Sequence, residues 1–428
     1  MFDVVIVGAR CAGSPLAILL ARRGLRVCLV DKANFPHETP STHVIQPCGV
    51  RILAELGVLE SVLATGAVPL DWFTMVNDDD RIDASIDLDE FGAPGLCVRR
   101  LTLDALLVEA AAAAGADVRT GCRVTGLLTE PGGRVAGVCT DGGDIPARLV
   151  VGADGRKSTV AALVGATEYL KTPPGRTPAW AYFAGVGDRT GRLLLGRTGD
   201  LAFLASPTDG GLYMAGIGID VARAPEFHAA REAFFAKSLA QCPELPALLD
   251  GADRVGPIRV MTDWHGYFRC SAGPGWVLVG DAGHFKDFTT AQGISDAFRQ
   301  ARALAQAIAA DGGALDARLT DWWHWRDRDA FEMYWLAADM GLPGAASPLV
   351  ARLLRSIGED PAATRLFLKV LNHDVRPAQL FTARRVLAAA AWALVERPDR
   401  LAATSREIGA GIRNEIYRAR ARRRLASK

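Results

Sequence analysis

The first thirty-one residues constrain the fold more than any other stretch. Residues 3–7, DVVIV, are a β-branched run of the kind buried in a parallel sheet, and Gly8 follows them directly. From Cys11 the pattern turns helical: Ala12, Leu16, Leu19 and Leu20 make an apolar stripe that stops at Arg22, Arg23 and Gly24. A second strand, RVCLVD at 26–31, completes a β-α-β unit. Gly8 permits the tight turn, Gly13 lets helix and strand backbones approach, and the helix N-terminus offers N–H groups to a pyrophosphate. Asp31 ends the second strand, where its carboxylate can accept hydrogen bonds from a ribose diol. Arg10 stands where such a turn has its second glycine. Its side chain either turns outward or brings a guanidinium to the phosphates. Arg10, Cys11, Ala12 and Lys32 therefore join Gly8, Gly13 and Asp31 as candidate nucleotide contacts.

A chain of 428 residues, half of them hydrophobic, can bury one large core or two intimately joined ones. The 49 Lys and Arg nearly cancel the 48 Asp and Glu, so no whole-chain field draws it to nucleic acid or anionic lipid. The local exception is RARARRR at 418–424, read as a solvated helix end against the alternative of an anion- or membrane-contacting tail. The eight cysteines form no CxxC pair and the seven histidines no HExxH, which predicts reduced core thiols, a cytoplasmic protein and no metal. AILL and AAAAWALV are too short to span a bilayer, and the first strand starts too early for a signal peptide; no stable membrane insertion is expected.

Further along, strand-like segments at 70–76 and 81–88 precede a helix at 101–114 that Arg99 and Arg100 introduce. A three-stranded meander then returns in LVVGADG, leaving Asp154 and Gly155 just beyond a hydrophobic strand. A third glycine cluster, at 273–293, repeats the pattern: WVLVG ends at Gly280-Asp281, and a helix begins near Ala291. A carboxylate at 281 can hold a polyol hydroxyl, and a helix N-terminus beside Gln292 and Gly293 can stabilise negative charge on a ring. Between these parts, 173–272 reads as an antiparallel sheet and a helix through REAFFAKSLAQ. Trp180, Tyr182, Phe203, Tyr213 and Met214 are candidates for one wall of an aromatic substrate pocket, with core packing as the competing reading. Helices are expected over 348–370 and 376–420. The predicted segments are 1–172 and 273–312 for nucleotide binding, 173–272 for substrate, and 313–428 as a helical region.

Three separated stretches, GARCAG with Asp31, VVGADGRKSTV, and VLVGDAGHFKDFTTAQGI, together resemble the FAD-dependent aromatic hydroxylase superfamily, the para-hydroxybenzoate hydroxylase type of flavoprotein. The likeness covers roughly residues 1–370. It implies an α/β fold with a discontinuous Rossmann-type FAD-binding domain, an inserted antiparallel-sheet substrate domain and a helical C-terminal region. By the same resemblance Gly8, Gly13 and Asp31 hold the ADP part of FAD, Arg100 contacts the cofactor, and Asp154 lies in a motif tied to FAD and NAD(P)H. Asp281 meets the ribitol and Gly293 approaches the flavin ring, with Gly280 and Gln292 beside them as further cofactor-binding candidates. The activity implied is hydroxylation of an aromatic or polyketide-like small molecule by O2 through a C4a-hydroperoxyflavin, with NADPH or NADH as transient reductant; monomer and homodimer stay open. His43, His284 and Lys286 are the candidates for contact with substrate or flavin.

The chain departs from that pattern at Arg10 and at GDAGHFKDF, where two prolines usual beside the flavin give way to Lys286, Asp287 and Phe288. A halogenase-like WxWxIP segment is absent, and WWHWR at 322–326 does not replace it. The alternative carried forward is a flavin reductase or dehydrogenase of the geranylgeranyl-reductase type, acting without oxygen insertion, although its YxWxFP signature is also missing. A non-catalytic FAD-bound partner protein is the reading from outside enzymology.

Overall fold

The computed structural model describes residues 1–312, 314–396 and 401–426. The expected boundary at residue 313, and residues 397–400 inside the expected helix 376–420, lie outside them. The chain divides into two compact units, the first built from 1–66, 98–173 and 265–329, the second from 67–97, 174–264 and 330–428.

In the first unit the β-branched runs do what their continuous apolar pattern demands and stack as buried parallel strands. Across the sheet, Trp276–Leu278 pairs with Gly143–Gly152, which pairs with Phe2–Val7, then Val27–Val30, then Asp117–Arg119, every pair parallel. Val5 sits opposite both Cys28 and Val150, and these residues with Val7, Val30 and Leu278 form a continuous core. Helices Gly13–Ala21 and Arg100–Ala113 connect within this unit. The strand Gly143–Gly152 serves twice. Its first half closes the antiparallel meander with Val135–Thr140, and its last residues enter the parallel sheet. A small antiparallel sheet of Glu168–Thr172, Gly266–Arg269 and His284–Phe285 completes the unit.

The second unit centres on a seven-stranded sheet in the order 253–260, 176–184, 213–220, 201–207, 192–198, 72–77, 80–85. All neighbours are antiparallel except 72–77 with 192–198. Two expectations are corrected here. The strands at 70–88, placed by sequence order with the nucleotide-binding part, belong to this sheet, and the chain returns to the first unit at His265 rather than near 273. The strand Asp253–Val260 escaped notice because Gly256 and Pro257 mask it; it lies at the sheet edge, where a missing N–H is tolerated.

The proposed aromatic wall also divides. Strand residues alternate between faces. Phe203 and Tyr213 pack with Ala179, Ala181 and Phe183 onto Phe234 and Phe235 of the helix Arg231–Gln241. Trp180, Tyr182 and Met214 alternate with those residues and point to the other face, where Arg259 lies 4.7 Å from the Tyr182 ring. The five side chains therefore do not form one wall.

Candidate functional site

The first turn tolerates no side chain at its two glycines. Gly8 has φ 107°, and a Cβ there would lie 2.4 Å from the Ala153 carbonyl oxygen. A Cβ on Gly13 would lie 1.8 Å from the Gly8 oxygen. Asp31 braces this turn from the neighbouring strand, accepting the Ala9 N–H at 2.9 Å on one oxygen and the Ala33 N–H at 2.8 Å on the other. A carboxylate has about four acceptor positions, so it keeps capacity for a ribose hydroxyl. Ala12 is buried and Lys32 exposed.

Arg10 is accommodated because its backbone lies outside the left-handed region and its charge finds carboxylates. Its Nη1 reaches Asp104 at 3.3 Å, its Nε lies 3.9 Å from Asp31, and its guanidinium sits 5.5 Å from the Phe35 ring. Asp104, fully buried one turn into the helix Arg100–Ala113, is the unforeseen hub. It takes a bidentate pair from Arg100 at 3.0 and 2.9 Å and a 3.4 Å hydrogen bond from the Cys11 thiol. Burial pushes that thiol's pKa up, so Cys11 donates as a thiol and is no thiolate nucleophile. Burial works against the Arg100 charge, but Asp104 outweighs it. The Nη1 of Arg100 has no protein partner among the described residues and remains available to a ligand. One signal for Asp104 was present in the sequence, an acid four residues after Arg100 in a mostly apolar helix.

At the second glycine turn, the Asp154 carboxylate is turned into its own loop. It accepts the Ser158 hydroxyl at 2.5 Å and the Thr159 and Val160 N–H groups at 2.6 and 3.2 Å, while Ser158 caps Ala161. Its acceptor positions shape the turn rather than facing outward.

The third turn is different in kind. Gly280 donates its N–H to Gln300 at 3.1 Å. The Asp281 carboxylate, by contrast, takes part in no hydrogen bond or ion pair among the described residues. Burial raises its pKa to about 6, against the pull of Arg156 and Arg100. Gly293 opens the 17-residue helix Gly293–Ala309, and a Cβ there would meet nothing within 4 Å. Lys286, expected to steady an anion, is buried, donating to Gln292 Oε1 at 2.7 Å and pairing with Asp296 at 2.6 Å. Gln46 and Ser295 brace the same helix start, the Gln46 N–H donating to Ser295 Oγ at 2.9 Å. His284 is buried with its ring 4.5 Å from that of Phe268. His43 is fully buried with φ 65°; its N–H donates to Ser41 and its carbonyl accepts from Val98.

A turn closed to side chains, an open carboxylate at 281 and open space beyond Gly293 are the features that a dinucleotide carrying a polyol and a planar ring requires. Residues 1–179, less than half of the chain, match the family model of the FAD binding domain. Among its relatives, 6-methylpretetramide 4-monooxygenase of Streptomyces rimosus is 36% identical over 178 residues, 38% of this chain and only 40% of that protein. Menaquinone reductase of Mycolicibacterium smegmatis is 27% identical over 336 residues, 73% of this chain and 78% of that one. The solved structure of the flavin-dependent brominase Bmp2 shares the fold, with a TM-score of 0.75 at 20% identity over 93% of this chain and 99% of that chain.

Proposed function

We propose that this chain is an FAD-dependent monooxygenase that hydroxylates an aromatic or polyketide-like small molecule at the expense of O2 and NADPH or NADH. The observation that carries the reading is the unengaged Asp281 carboxylate at the start of the Gly280–Gly293 loop, in the same unit as the Gly8–Asp31 turn. The monooxygenase relative, aligned over the nucleotide-binding part, supports it. Bound FAD supplies the two-electron reduction by the nicotinamide and the activation of O2. In balance, substrate, O2, NAD(P)H and a proton give hydroxylated substrate, water and NAD(P)+.

The chain's own residues bind and orient. The Gly8–Gly13 turn receives the pyrophosphate on backbone N–H groups, Asp31 takes the ribose, and the free Nη1 of Arg100 adds a cationic donor. Asp281 accepts a polyol hydroxyl, and the positive end of the Gly293–Ala309 helix favours negative charge on the ring. Lys286 is a positioning residue that fixes Gln292 at that helix start. His43, whose carbonyl accepts the Val98 N–H, and His284, packed on the Phe268 ring, hold their loops.

A second reading, reduction of an apolar metabolite without oxygen insertion, is favoured by the alignment to menaquinone reductase, which runs through most of both chains. One experiment separates the two. The purified flavoprotein is reduced anaerobically with NADPH or NADH, then mixed with labelled O2 and a panel of phenolic and polyketide-like compounds. Product carrying one labelled oxygen establishes the monooxygenase. Reoxidation by quinones or alkenes, with no labelled product, establishes the reductase.

A further inference from the structure

The proposed chemistry leaves the helices near the end of the chain unused, and they carry a surface that the fold does not cover. Along Ala383–Glu396, after the first residue Ala383, the exposed positions among the described side chains are Arg384, Leu387, Ala388, Ala391 and Val395. Their spacing of three, one, three and four places them on a single helix face. Leu387 is 68% exposed and Val395 76%, so this is an apolar stripe turned to solvent. The inward face of the same helix supplies Ala389, Ala390 and Ala393.

The helix Leu401–Ala426 repeats the arrangement with charge added. Its inward side is anchored within the same unit: Arg418 pairs with Asp339 at 2.6 Å and lies 4.8 Å from the Trp335 ring, Arg422 pairs with Glu332 at 3.2 Å, and Ala421 and Leu425 are buried. Its outward side presents Ile412, Ile416, Arg420 and Arg423 in one stripe, with Arg413 beside it. Ile412 and Ile416 are 57% and 49% exposed. The helix carries seven arginines against two glutamates, and Arg413, Arg420 and Arg423 have no acidic partner among the described residues.

We propose that these two helices form a peripheral docking surface for an anionic lipid bilayer. The charge pattern selects this occupant. An apolar stripe flanked by uncompensated arginines matches an interface whose acyl region takes Leu, Ile and Val while its headgroups take guanidinium ions. A second copy of the chain would bring the same uncompensated cations against themselves. The attachment is superficial, since no described helix is long and apolar enough to cross a membrane.

The test uses the full-length holoprotein and vesicles of phosphatidylcholine with or without phosphatidylglycerol. Co-sedimentation is expected with the anionic vesicles only, weakening as salt rises. Leu387→Glu/Val395→Glu and, separately, Arg413→Gln/Arg420→Gln/Arg423→Gln should each lower partitioning roughly tenfold or more, with flavin absorbance and melting temperature unchanged. Equal sedimentation with both vesicle types, or wild-type binding by both variants, overturns the proposal. So does a concentration-dependent dimer that Leu387→Glu/Val395→Glu abolishes without any lipid binding, because it assigns the stripe to a second copy. None of these outcomes depends on which flavin reaction the protein catalyses.

Discussion

The Gly8–Asp31 turn and the Gly280–Asp296 turn stand in the same unit, and each departs from the expected motif and carries a cation. Arg10 replaces a glycine in the first, and in the second Lys286 directly precedes Asp287 and Phe288, which take the places of the two usual prolines. The fold resolves both in the same way, with a buried carboxylate borne by a helix: Asp104 for Arg10 and Asp296 for Lys286. The carboxylates that end the strands are treated in opposite ways. Asp31 is spent partly on the backbone of its own turn, while Asp281 is left open. In both turns a buried carboxylate on a helix accompanies the cation, while Asp281 is the strand-end carboxylate with no hydrogen bond or ion pair among the described residues.

Five substitutions probe that comparison. The largest effect is expected for Asp104→Ala, which strands Arg100 in the interior and frees Arg10. Urea unfolding should show a loss of about 3–5 kcal/mol and purified protein should lack flavin. At the other turn, Lys286→Met removes the 2.6 Å partner of Asp296 and leaves it Arg299 at 4.0 Å, which should cost about 2 kcal/mol; adding Asp296→Leu should recover most of it. If Lys286→Met is neutral, the two turns are not equivalent.

Asp281→Asn sharpens the contrast through pH. The folded apoprotein keeps this carboxyl protonated up to about pH 6, whereas the unfolded chain loses the proton from the ordinary value of 3.8. The unfolded state then binds fewer protons, so the advantage of the neutral form is lost as pH rises through 6. The asparagine variant should match wild type near about pH 4 and exceed it by of order 2 kcal/mol above pH 7, read from thermal melts of apoprotein. The same variant should bind FAD more weakly, and wild-type affinity should fall as pH drops below 6. The smallest effect belongs to Arg10→Gly, which restores the fingerprint. FAD affinity measured by flavin fluorescence should weaken about fivefold at low salt and converge with wild type at high salt. Tighter binding would mean that Arg10 only turns aside.

How much of this was legible follows from the range of the interactions. Gly8, Gly13, Asp31, Gly280, Asp281 and Gly293 were readable because strand period, turn and helix start all lie within a few residues of one another. Asp104 was not singled out, since its partner Arg10 is ninety-four positions away and only its spacing from Arg100 hinted at a role. The strands at 72–85 were assigned by proximity in the chain, yet their partner strand is 192–198. The aromatic residues of 180–214 were grouped by type, although strand alternation sends them to opposite faces.

The amino-acid order alone determined the local units: β-branched runs that must be buried, glycines where no Cβ fits, and the identity of the nucleotide-binding part. Only the tertiary structure decided which carboxylate neutralises which cation, which is left open at 281, and which helix faces stay uncovered. The physical reason is that periodicity is a property of neighbours along the chain, whereas Coulomb pairing and burial depend on distances in space that folding alone creates.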